Sequence, residues 1–321
     1  MKISICCVEH KMRPDLDKFL RDIPGCTHND YEVIVSDNSP DGSVSDHISQ
    51  NFPGLPNKVL IPNKANLGLG KGMNIAMRAA KGEYILRTDT DIDIFPGWDQ
   101  KLVDIYEQYP QDNIGIVGTY NQGHGNQMDR GGWIESDILI TYCMLIPRKT
   151  IEHMNNFYSL TENDGKTPTG RYLNAGGGYA DPNYIYGFED FDYSLAARWS
   201  GKRLAMIKKV VAIHKEASNQ QGWDSEWRHK TVWQMAEYFR AKWSRLCNFW
   251  DVDKTYNLNT KKNGWLTLWG CIPINVEYVR DMLRQLSAEK KMAQYRAVID
   301  MLKNSNDWPI FENMEEAKYY K

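Results

Sequence analysis

The sequence of 321 residues lacks any apolar run that approaches the roughly 20 residues needed to cross a lipid bilayer. The first strand-like run begins at residue 3, and no signal peptide precedes it. From these two absences we expect a cytoplasmic protein without an integral membrane segment.

Cysteine patterns that bind metal are also missing. None of the six cysteines forms a C-x-x-C pair; they are Cys6, Cys7, Cys26, Cys143, Cys247 and Cys271. Several of them lie in apolar runs that are typical of strands or helices. The pattern predicts buried, reduced thiols and argues against a cysteine-bound zinc.

The chain has no excess of basic charge. Its formal net charge is −2, so a polyanionic partner would have to bind at a local patch. Apolar residues make up 42% and charged residues 25% of the chain, which is typical of a globular protein. Internal repeats and low-complexity tracts are absent as well.

What the first third does contain is a regular alternation of strand-like and helix-like segments. The strand-like runs are 3–8, 31–37, 58–61 and 84–88. This order predicts an α/β fold with a doubly wound, mostly parallel sheet. Ligands of such sheets bind at the carboxyl ends of the strands, so we expect the polar residues that follow these strands to meet at one crevice; they are Asp37, Asn66, Asp89 and Asp91.

The rest of the chain is less regular. We expect a strand at 113–120, a loop at 121–136, one long strand at 138–147, a loop system at 159–187 and a helix at about 189–200. From about residue 224 the composition shifts to long helices and tryptophans. This shift predicts an α/β domain over 1–223 and a helical C-terminal extension over 224–321.

The most informative segment is 63–98. A glycine-rich turn leads into an amphipathic helix, and a strand then delivers Asp89 and Asp91 to its end. Two carboxylates one residue apart beyond a strand suit a hard divalent cation that carries diphosphate oxygens. Alone, D-x-D is a weak motif that also describes two solvated carboxylates, but here its surroundings are specific.

A second block covers 175–204. It contains three consecutive glycines, Gly176 to Gly178, and then Glu189 and Asp190 at the predicted start of a helix. The glycines would let backbone approach a ligand closely. The two carboxylates either stabilise the helix through its positive N-terminus or take a proton from a substrate hydroxyl.

Over about residues 1–245 the two blocks resemble family 2 glycosyltransferases. The first block matches the family landmarks N-x-x-N-x-G, A-x-G-[DE]-Y, D-x-D and P-G-W at Asn63, Asn66, Gly68, Asn74, Ala80, Gly82, Glu83, Tyr84, Asp89, Asp91, Pro96, Gly97 and Trp98. The second block is similar to the family's G-G-x-x-D and G-x-E-D-x-D pattern. The resemblance implies a GT-A nucleotide-sugar-binding fold, with a donor half at about 1–120 and an acceptor half at about 121–223.

The resemblance also implies an activity. It predicts inverting transfer of a sugar from a nucleoside diphosphate donor, most simply a UDP-linked one, to a hydroxyl. Asp190 would be the general base and Glu189 its neighbour. Mn²⁺ or Mg²⁺ would bind Asp89 and Asp91, joined by His214 at the end of the run KKVVAIH, although a lone histidine is often only structural.

Donor binding is assigned by the same resemblance to a larger set. Its members are Val8, Glu9, Asp37, Asn38, Asn66, Gly68, Lys71, Asn74, Arg87, Asp89, Thr90, Gly176, Gly177 and Gly178. The turn DNSPDG is one residue shorter than the family's usual form. The resemblance implies that Asp37 contacts the nucleobase and ribose. The same residue can instead close an Asx-turn at the strand end, or do both.

The acceptor stays open at this point. A surface polysaccharide or glycan precursor is the first hypothesis, and a hydroxymethylated base in DNA is the alternative. The basic and aromatic segment 227–250 is either a packed amphipathic helix or a face for DNA. A non-catalytic nucleotide-sugar-binding protein and a nucleotidyltransferase fit the two blocks less well.

Overall fold

A computed structural model describes residues 2–11, 14–120, 122–160 and 177–215, together with Met235 and Phe239. The strands are β1 (Ile3–Glu9), β2 (Tyr31–Asp37), β3 (Lys58–Pro62), β4 (Tyr84–Thr88), β5 (Ile92–Ile94), β6 (Ile114–Gly118), β7 (Gly123–Asp129), β8 (Trp133–Leu139), β9 (Cys143–Pro147), β10 (Arg203–Ile207) and β11 (Ala212–His214). The α-helices are α1 (Pro14–Cys26), α2 (Ser43–Asn51), α3 (Leu69–Ala79), α4 (Trp98–Gln108), α5 (Arg148–Leu160) and α6 (Glu189–Trp199).

Nine of these strands form one sheet in the order β3-β2-β1-β4-β9-β6-β10-β8-β7. Strands β3, β2, β1 and β4 are parallel to one another, and β6 is parallel to β10. Strands β9 and β8 run against their neighbours. The expected α/β fold with a mostly parallel sheet is confirmed.

Helices cover both faces of this sheet because the strands are apolar on both sides. In β1, Ile3, Ile5 and Cys7 face the layer that contains α1, α2 and α4. Cys6 faces the opposite layer, where α3, α5 and α6 pack. Successive side chains of a strand point to opposite faces, so a run such as ISICC buries every residue only between two helical layers.

A second sheet places the strand that ends in His214 beside the residues that follow Asp91. Strands β5 and β11 pair antiparallel, with His214 opposite Ile92. The backbone N–H of Lys215 donates to the carbonyl of Asp91 at 2.9 Å. The short pairing therefore joins segments that lie more than a hundred residues apart in the sequence.

The prediction of one long strand at 138–147 is wrong. Strand β8 ends at Leu139, and β9 begins at Cys143. In the turn between them, the N–H of Ile140 donates to the carbonyl of Gln122, and the carbonyl of Tyr142 accepts from Asp89. The turn residues 140–142 include no glycine, proline or asparagine, so the apolar composition of the stretch conceals the turn.

The predicted loop at 121–136 is also wrong in large part. Strand β7 and the first residues of β8 lie within it. Glu135 of β8 pairs opposite Ala205 of β10, and its carboxylate accepts from the Arg203 guanidinium at 2.8 Å. That guanidinium also lies over the Trp133 ring, 4.6 Å from its centroid. Partners about 70 residues away in the sequence thus stabilise a strand that composition alone does not indicate.

The cysteines of the described ranges are free thiols, as the sequence predicts. Cys6, Cys7 and Cys143 are buried, and Cys26 is half-buried. Cys247 and Cys271 lie outside the described residues. Within the described part of the chain, no helix is both long and apolar enough to cross a membrane.

Two residues of the predicted C-terminal extension are described, and both are buried. The Phe239 ring lies 5.6 Å from the Phe188 ring and 6.0 Å from the Phe191 ring. The Met235 sulfur accepts from the N–H of Ile185 at 3.4 Å. Residues four apart share one face of a helix, so these two contacts favour packing for this part of 227–250. The other residues of 224–321 lie outside the described residues.

We expect Gly82→Ala to destabilise the protein by about 1–3 kcal/mol. A Cβ atom at Gly82 would lie 2.7 Å from the backbone nitrogen of Ser4, which β1 holds in place. Urea unfolding measures the change in free energy. Gly25→Ala is the matched control, because nothing lies within 4 Å of its Cβ position and alanine favours the helix. Equal stabilities of the two variants would contradict the tight contact.

Candidate active site

The polar residues predicted at one crevice lie at neighbouring strand ends. Glu9 and Asp37 are paired as the last residues of β1 and β2. Strand β4 lies on the other side of β1 and ends at Thr88, directly before Asp89. The parallel order of these strands brings their carboxyl ends to the same edge of the sheet, as expected for an α/β ligand site.

Asp89, Asp91 and His214 form one group at this edge. A ligand atom from each lies within 4.8 Å of the others. The His214 Nε2 atom is 3.2 Å from Asp91 Oδ1 and 3.8 Å from Asp89 Oδ2. The side chains of Asp89 and His214 are 27% and 28% exposed, so the group opens to solvent. Two carboxylates and one imidazole are a donor set that fits Mn²⁺ and, with water, Mg²⁺.

The charge of this group is only partly balanced. Desolvation and the negative charge of Asp91 raise the pKa of Asp89 to about 6, against an ordinary value of 3.8. The nearby His214 and Arg87 oppose that shift. A divalent cation bound by the two carboxylates would favour their ionised forms. Unbalanced negative charge is therefore the property expected of a cation-binding group.

The D-x-D turn itself is held by three other segments. The Tyr142 carbonyl accepts from the Asp89 N–H at 3.1 Å and from the Thr88 hydroxyl at 3.0 Å. The Thr90 hydroxyl donates to the Glu9 carboxylate at 2.6 Å. The Tyr142 ring also stacks on the His214 imidazole, with 5.3 Å between centroids and an interplanar angle of 16°. Sequence reasoning missed Tyr142, since it sits in an apolar run without any motif.

Glu189 and Asp190 begin α6, and Glu189 contacts Arg87 of β4, the strand that leads to Asp89. Arg87 lies on β4 two residues before Asp89, and its Nη2 atom is 3.5 Å from Glu189 Oε1. Both side chains of this ion pair are almost fully buried. Arg87 Nε, Arg87 Nη1 and Glu189 Oε2 have no hydrogen-bond partner among the described residues. The positive charge of Arg87 therefore acts both on Asp89 and on the two carboxyl groups that begin α6.

Asp190 has the properties of a proton acceptor. Burial and the negative charge of Glu189 raise its pKa to about 8, against an ordinary value of 3.8. Its Oδ1 atom accepts from the N–H of Phe191 at 2.9 Å, and Arg87 partly offsets the rise. Burial likewise raises the pKa of Glu189, which Arg87 opposes. A carboxyl group that titrates near neutral pH can take and release a proton during turnover.

Asn74 has a direct structural contact. Its side-chain amide accepts from the Ala180 N–H at 2.9 Å and donates to the Ala180 carbonyl at 2.7 Å. These two bonds attach α3 to the segment that leads to Glu189. Gly70 of the same helix allows this approach, because a Cβ there would lie 3.0 Å from the Tyr184 carbonyl. That Asn74 or the half-buried Lys71 contacts the nucleotide-sugar donor stays a prediction.

The glycines of the second block pack closely against α5. A Cβ at Gly178 would lie 2.2 Å from the Ile151 carbonyl, and the Gly178 N–H donates to Asn155 Oδ1 at 2.7 Å. Gly177 has a φ of +63°, which favours glycine. Gly176 lies outside the described residues. The glycines thus allow close backbone packing, and their predicted approach to a donor sugar stays a prediction.

The part of the crevice beside β2 contains a network of side-chain amides. Asn38 Nδ2 donates to the Gly68 carbonyl at 3.0 Å, and Asn66 Oδ1 accepts from the Gly68 N–H at 3.0 Å. Asp37 is fully buried, and its two oxygens accept from the N–H groups of Ser39 and Ser45 at 2.8 Å each. The bond from Ser39 forms the Asx-turn described above, and the bond from Ser45 attaches the strand end to α2. A contact between Asp37 and a nucleobase stays a prediction.

Val8 lies at the same end of β1 as Glu9 and is half-buried. A Cβ at Gly72 of α3 would lie 2.9 Å from Val8 Cγ1 and 3.0 Å from Asn38 Nδ2. The first strand, the Asn38 turn and α3 therefore meet at one point, where Val8 and Asn38, both predicted to bind the donor, lie beside Gly72.

Comparison with known proteins identifies the class. Residues 4–176 match the model of glycosyl transferase family 2, and the chain belongs to this family. The fold is that of GT-A glycosyltransferases: the crystal structure of GalNAc-T7 with UDP, GalNAc and Mn²⁺ superposes with a TM-score of 0.53 at 14% identity, covering 93% of this chain and 57% of that one. The family and fold predicted from the sequence are both confirmed.

Two curated relatives are glycosyltransferases by name. An uncharacterised glycosyltransferase of Haemophilus influenzae is 29% identical over 120 residues, which is 37% of this chain and 36% of the relative. The uncharacterised glycosyltransferase EpsJ of Bacillus subtilis is 23% identical over 223 residues, which is 68% of this chain and 62% of EpsJ. The matched region thus spans about a third to under two thirds of the length of these relatives.

Proposed function

We propose that this protein is an inverting, metal-dependent glycosyltransferase that moves a sugar from a UDP-linked donor to a hydroxyl group of a glycan. The observation that carries the proposal is that two sets of acidic residues share the charge of one buried arginine. Asp89, Asp91 and His214 offer cation ligands on one side. Glu189 and Asp190 offer a proton acceptor, and the charge of the buried Arg87 acts on both sets.

Asp89, Asp91 and His214 would hold Mn²⁺ or Mg²⁺. When bound, such an ion supplies positive charge that neutralises the departing diphosphate. The rise in the Asp89 pKa supports this assignment, because the ionised carboxylates are unfavourable without a counter-charge. Asn38, Asn66, Gly68, Glu9 and Thr90 line the adjoining donor side in this proposal.

Asp190 carries out the proton transfer in this mechanism. Its carboxylate removes the proton of the acceptor hydroxyl, and the hydroxyl oxygen forms a bond to the anomeric carbon. The bond from that carbon to the diphosphate breaks, and the diphosphate leaves with the electron pair from the opposite face. Arg87 opposes the rise in the Glu189 pKa and pairs with the Glu189 carboxylate beside Asp190, so Glu189 acts as a positioning residue.

The acceptor class is inferred from the described residues of 227–250. The two described residues of 227–250 pack into the core, and this favours a structural use of that segment over a DNA-binding face. We therefore propose a surface polysaccharide or glycan precursor as acceptor. The cytoplasm is the compartment we propose, as expected for an enzyme that uses nucleotide sugars.

The proposal is tested by titrating the full chain with UDP-linked and GDP-linked sugars, with and without Mn²⁺, in a calorimeter. GalNAc-T7, which shares the fold, was crystallised with UDP and Mn²⁺, so these two serve as the first probes. We expect UDP-linked sugars to bind only in the presence of the metal. We also expect NMR to detect their slow hydrolysis, with an initial sugar product of inverted anomeric configuration. Metal-independent binding, or a product with retained configuration, would contradict the mechanism.

A further inference from the structure

Tyr142 touches both halves of the candidate metal group, although it is not itself a ligand. It lies in the turn between β8 and β9 and is half-buried. Asp89 belongs to the segment after β4, whereas His214 belongs to β11. Of the contacts described around the group, those of Tyr142 reach the two segments at the same time.

The backbone of Tyr142 acts on the aspartate side. Its carbonyl accepts two hydrogen bonds, one from the Asp89 N–H and one from the Thr88 hydroxyl. These two bonds fix the peptide group that precedes the Asp89 Cα atom, and so the position from which the Asp89 side chain extends. This contact continues the β4–β9 pairing, in which Thr88 lies opposite Cys143, by one residue into the D-x-D turn.

The ring of Tyr142 acts on the histidine side. Strand β11 is only three residues long, and His214 is its last residue. Its pairing with Ile92 fixes the position of the backbone, whereas the orientation of the imidazole depends on what the ring itself contacts. The nearly parallel ring of Tyr142 restricts that orientation, and in the observed one the Nε2 atom faces the Asp91 and Asp89 carboxylates.

We infer that Tyr142 is a positioning residue that orients His214 toward Asp89 and Asp91 and so raises the affinity of the group for a divalent cation. The inference rests on the proposed metal dependence. Residues that orient metal ligands typically change metal affinity by 10–100-fold when they are replaced. The Tyr142 ring acts on His214, so replacing the side chain removes this contact. The backbone carbonyl that accepts from the Asp89 N–H is present in every variant.

The test measures binding of Mn²⁺ alone to the full chain, from the loss of the electron paramagnetic resonance signal of free Mn²⁺. We expect Tyr142→Ala to weaken Mn²⁺ binding by about tenfold, because the ring is lost. Tyr142→Phe is the matched control and should bind as the wild type does, since the ring remains. Tyr142→Leu, which keeps bulk without a planar ring, replaces the alanine variant if that variant does not fold.

Combination with His214→Ala separates positioning from a general effect on folding. If Tyr142 acts through His214, adding Tyr142→Ala to His214→Ala causes no further loss of Mn²⁺ affinity. A further tenfold loss in the double variant would overturn the inference, and so would wild-type affinity in folded Tyr142→Ala or Tyr142→Leu. Absence of Mn²⁺ binding in the wild type would overturn both this inference and the proposed metal dependence. The variant results named above would overturn the inference alone, so the two failures are distinguishable.

Discussion

Asp190→Asn should lower the rate of sugar transfer by ~10²–10⁴ while leaving binding of the UDP-linked donor nearly unchanged. Asparagine keeps the size of the side chain and its hydrogen bond with the Phe191 N–H, but it cannot accept the proton of the acceptor hydroxyl. Single-turnover kinetics measure the rate, and calorimetry measures donor binding. Equal turnover in the variant and the wild type would remove Asp190 from the role of base.

Glu189→Gln is the matched control for this experiment. It neutralises the neighbouring carboxylate and leaves Arg87 without its ion pair. We expect a smaller loss of turnover than in Asp190→Asn, because Glu189 positions the site and does not take the proton. A large loss in Glu189→Gln together with a small loss in Asp190→Asn would show that the two roles are exchanged.

The raised pKa of Asp190 fixes the sign of two pH effects. Turnover needs the ionised carboxylate, so turnover at saturating donor and Mn²⁺ should rise as the pH rises toward and through about 8. Between its ordinary pKa of 3.8 and the folded value of about 8, the folded state binds the proton more strongly than the unfolded state does. Asp190 therefore lowers stability as pH rises through this window, and Asp190→Asn should raise the melting temperature at pH 8.

Asp91→Ala should abolish the metal-dependent part of donor binding. Asp91 is the buried carboxylate of the cation group, and its oxygen lies 3.2 Å from His214 Nε2. Its removal takes away a ligand and also the negative charge that raises the pKa of Asp89. Calorimetry with UDP should then give the same weak affinity with and without Mn²⁺.

The control for Asp91→Ala is Asp93→Ala, two residues further along the chain. Asp93 pairs with Lys18 and Lys215 at 2.7 and 2.9 Å, outside the cation group. Exposed ion pairs of this kind contribute little, so Mn²⁺-dependent binding of UDP should persist in this variant. Unchanged metal-dependent affinity in Asp91→Ala would show that the D-x-D motif does not bind the cation.

The sequence predicts the donor side of this fold well because its signals are local. Strands β1 to β4 are short apolar runs, and the helices between them have regular apolar periodicity, so each element can be recognised alone. The D-x-D pair and its position at a strand end follow from the same pattern. His214 was predicted only through family resemblance, because the β5–β11 pairing that brings it to Asp91 has no local signal.

The missed features depend on distant contacts. The turn at Tyr142 interrupts an apolar run that reads as one strand, and its hydrogen bonds go to β4, more than fifty residues earlier. Strand β7 has few apolar residues and pairs with β8, which is in turn held by β10. Asn74 was predicted to bind a ligand, yet the contacts of its amide are with the Ala180 backbone, which no motif reveals.

The position of β9 has a consequence for how the chain is synthesised. Strand β4 leads directly into the D-x-D motif. Its neighbours in the sheet are β1 and β9, and the ribosome produces β9 about sixty residues later than β4. Until Pro147 has emerged, β4 presents an open strand edge, and such edges pair readily with other nascent chains. A fragment that stops near residue 120 should therefore aggregate, whereas one that includes β9 protects the edge of its central strand.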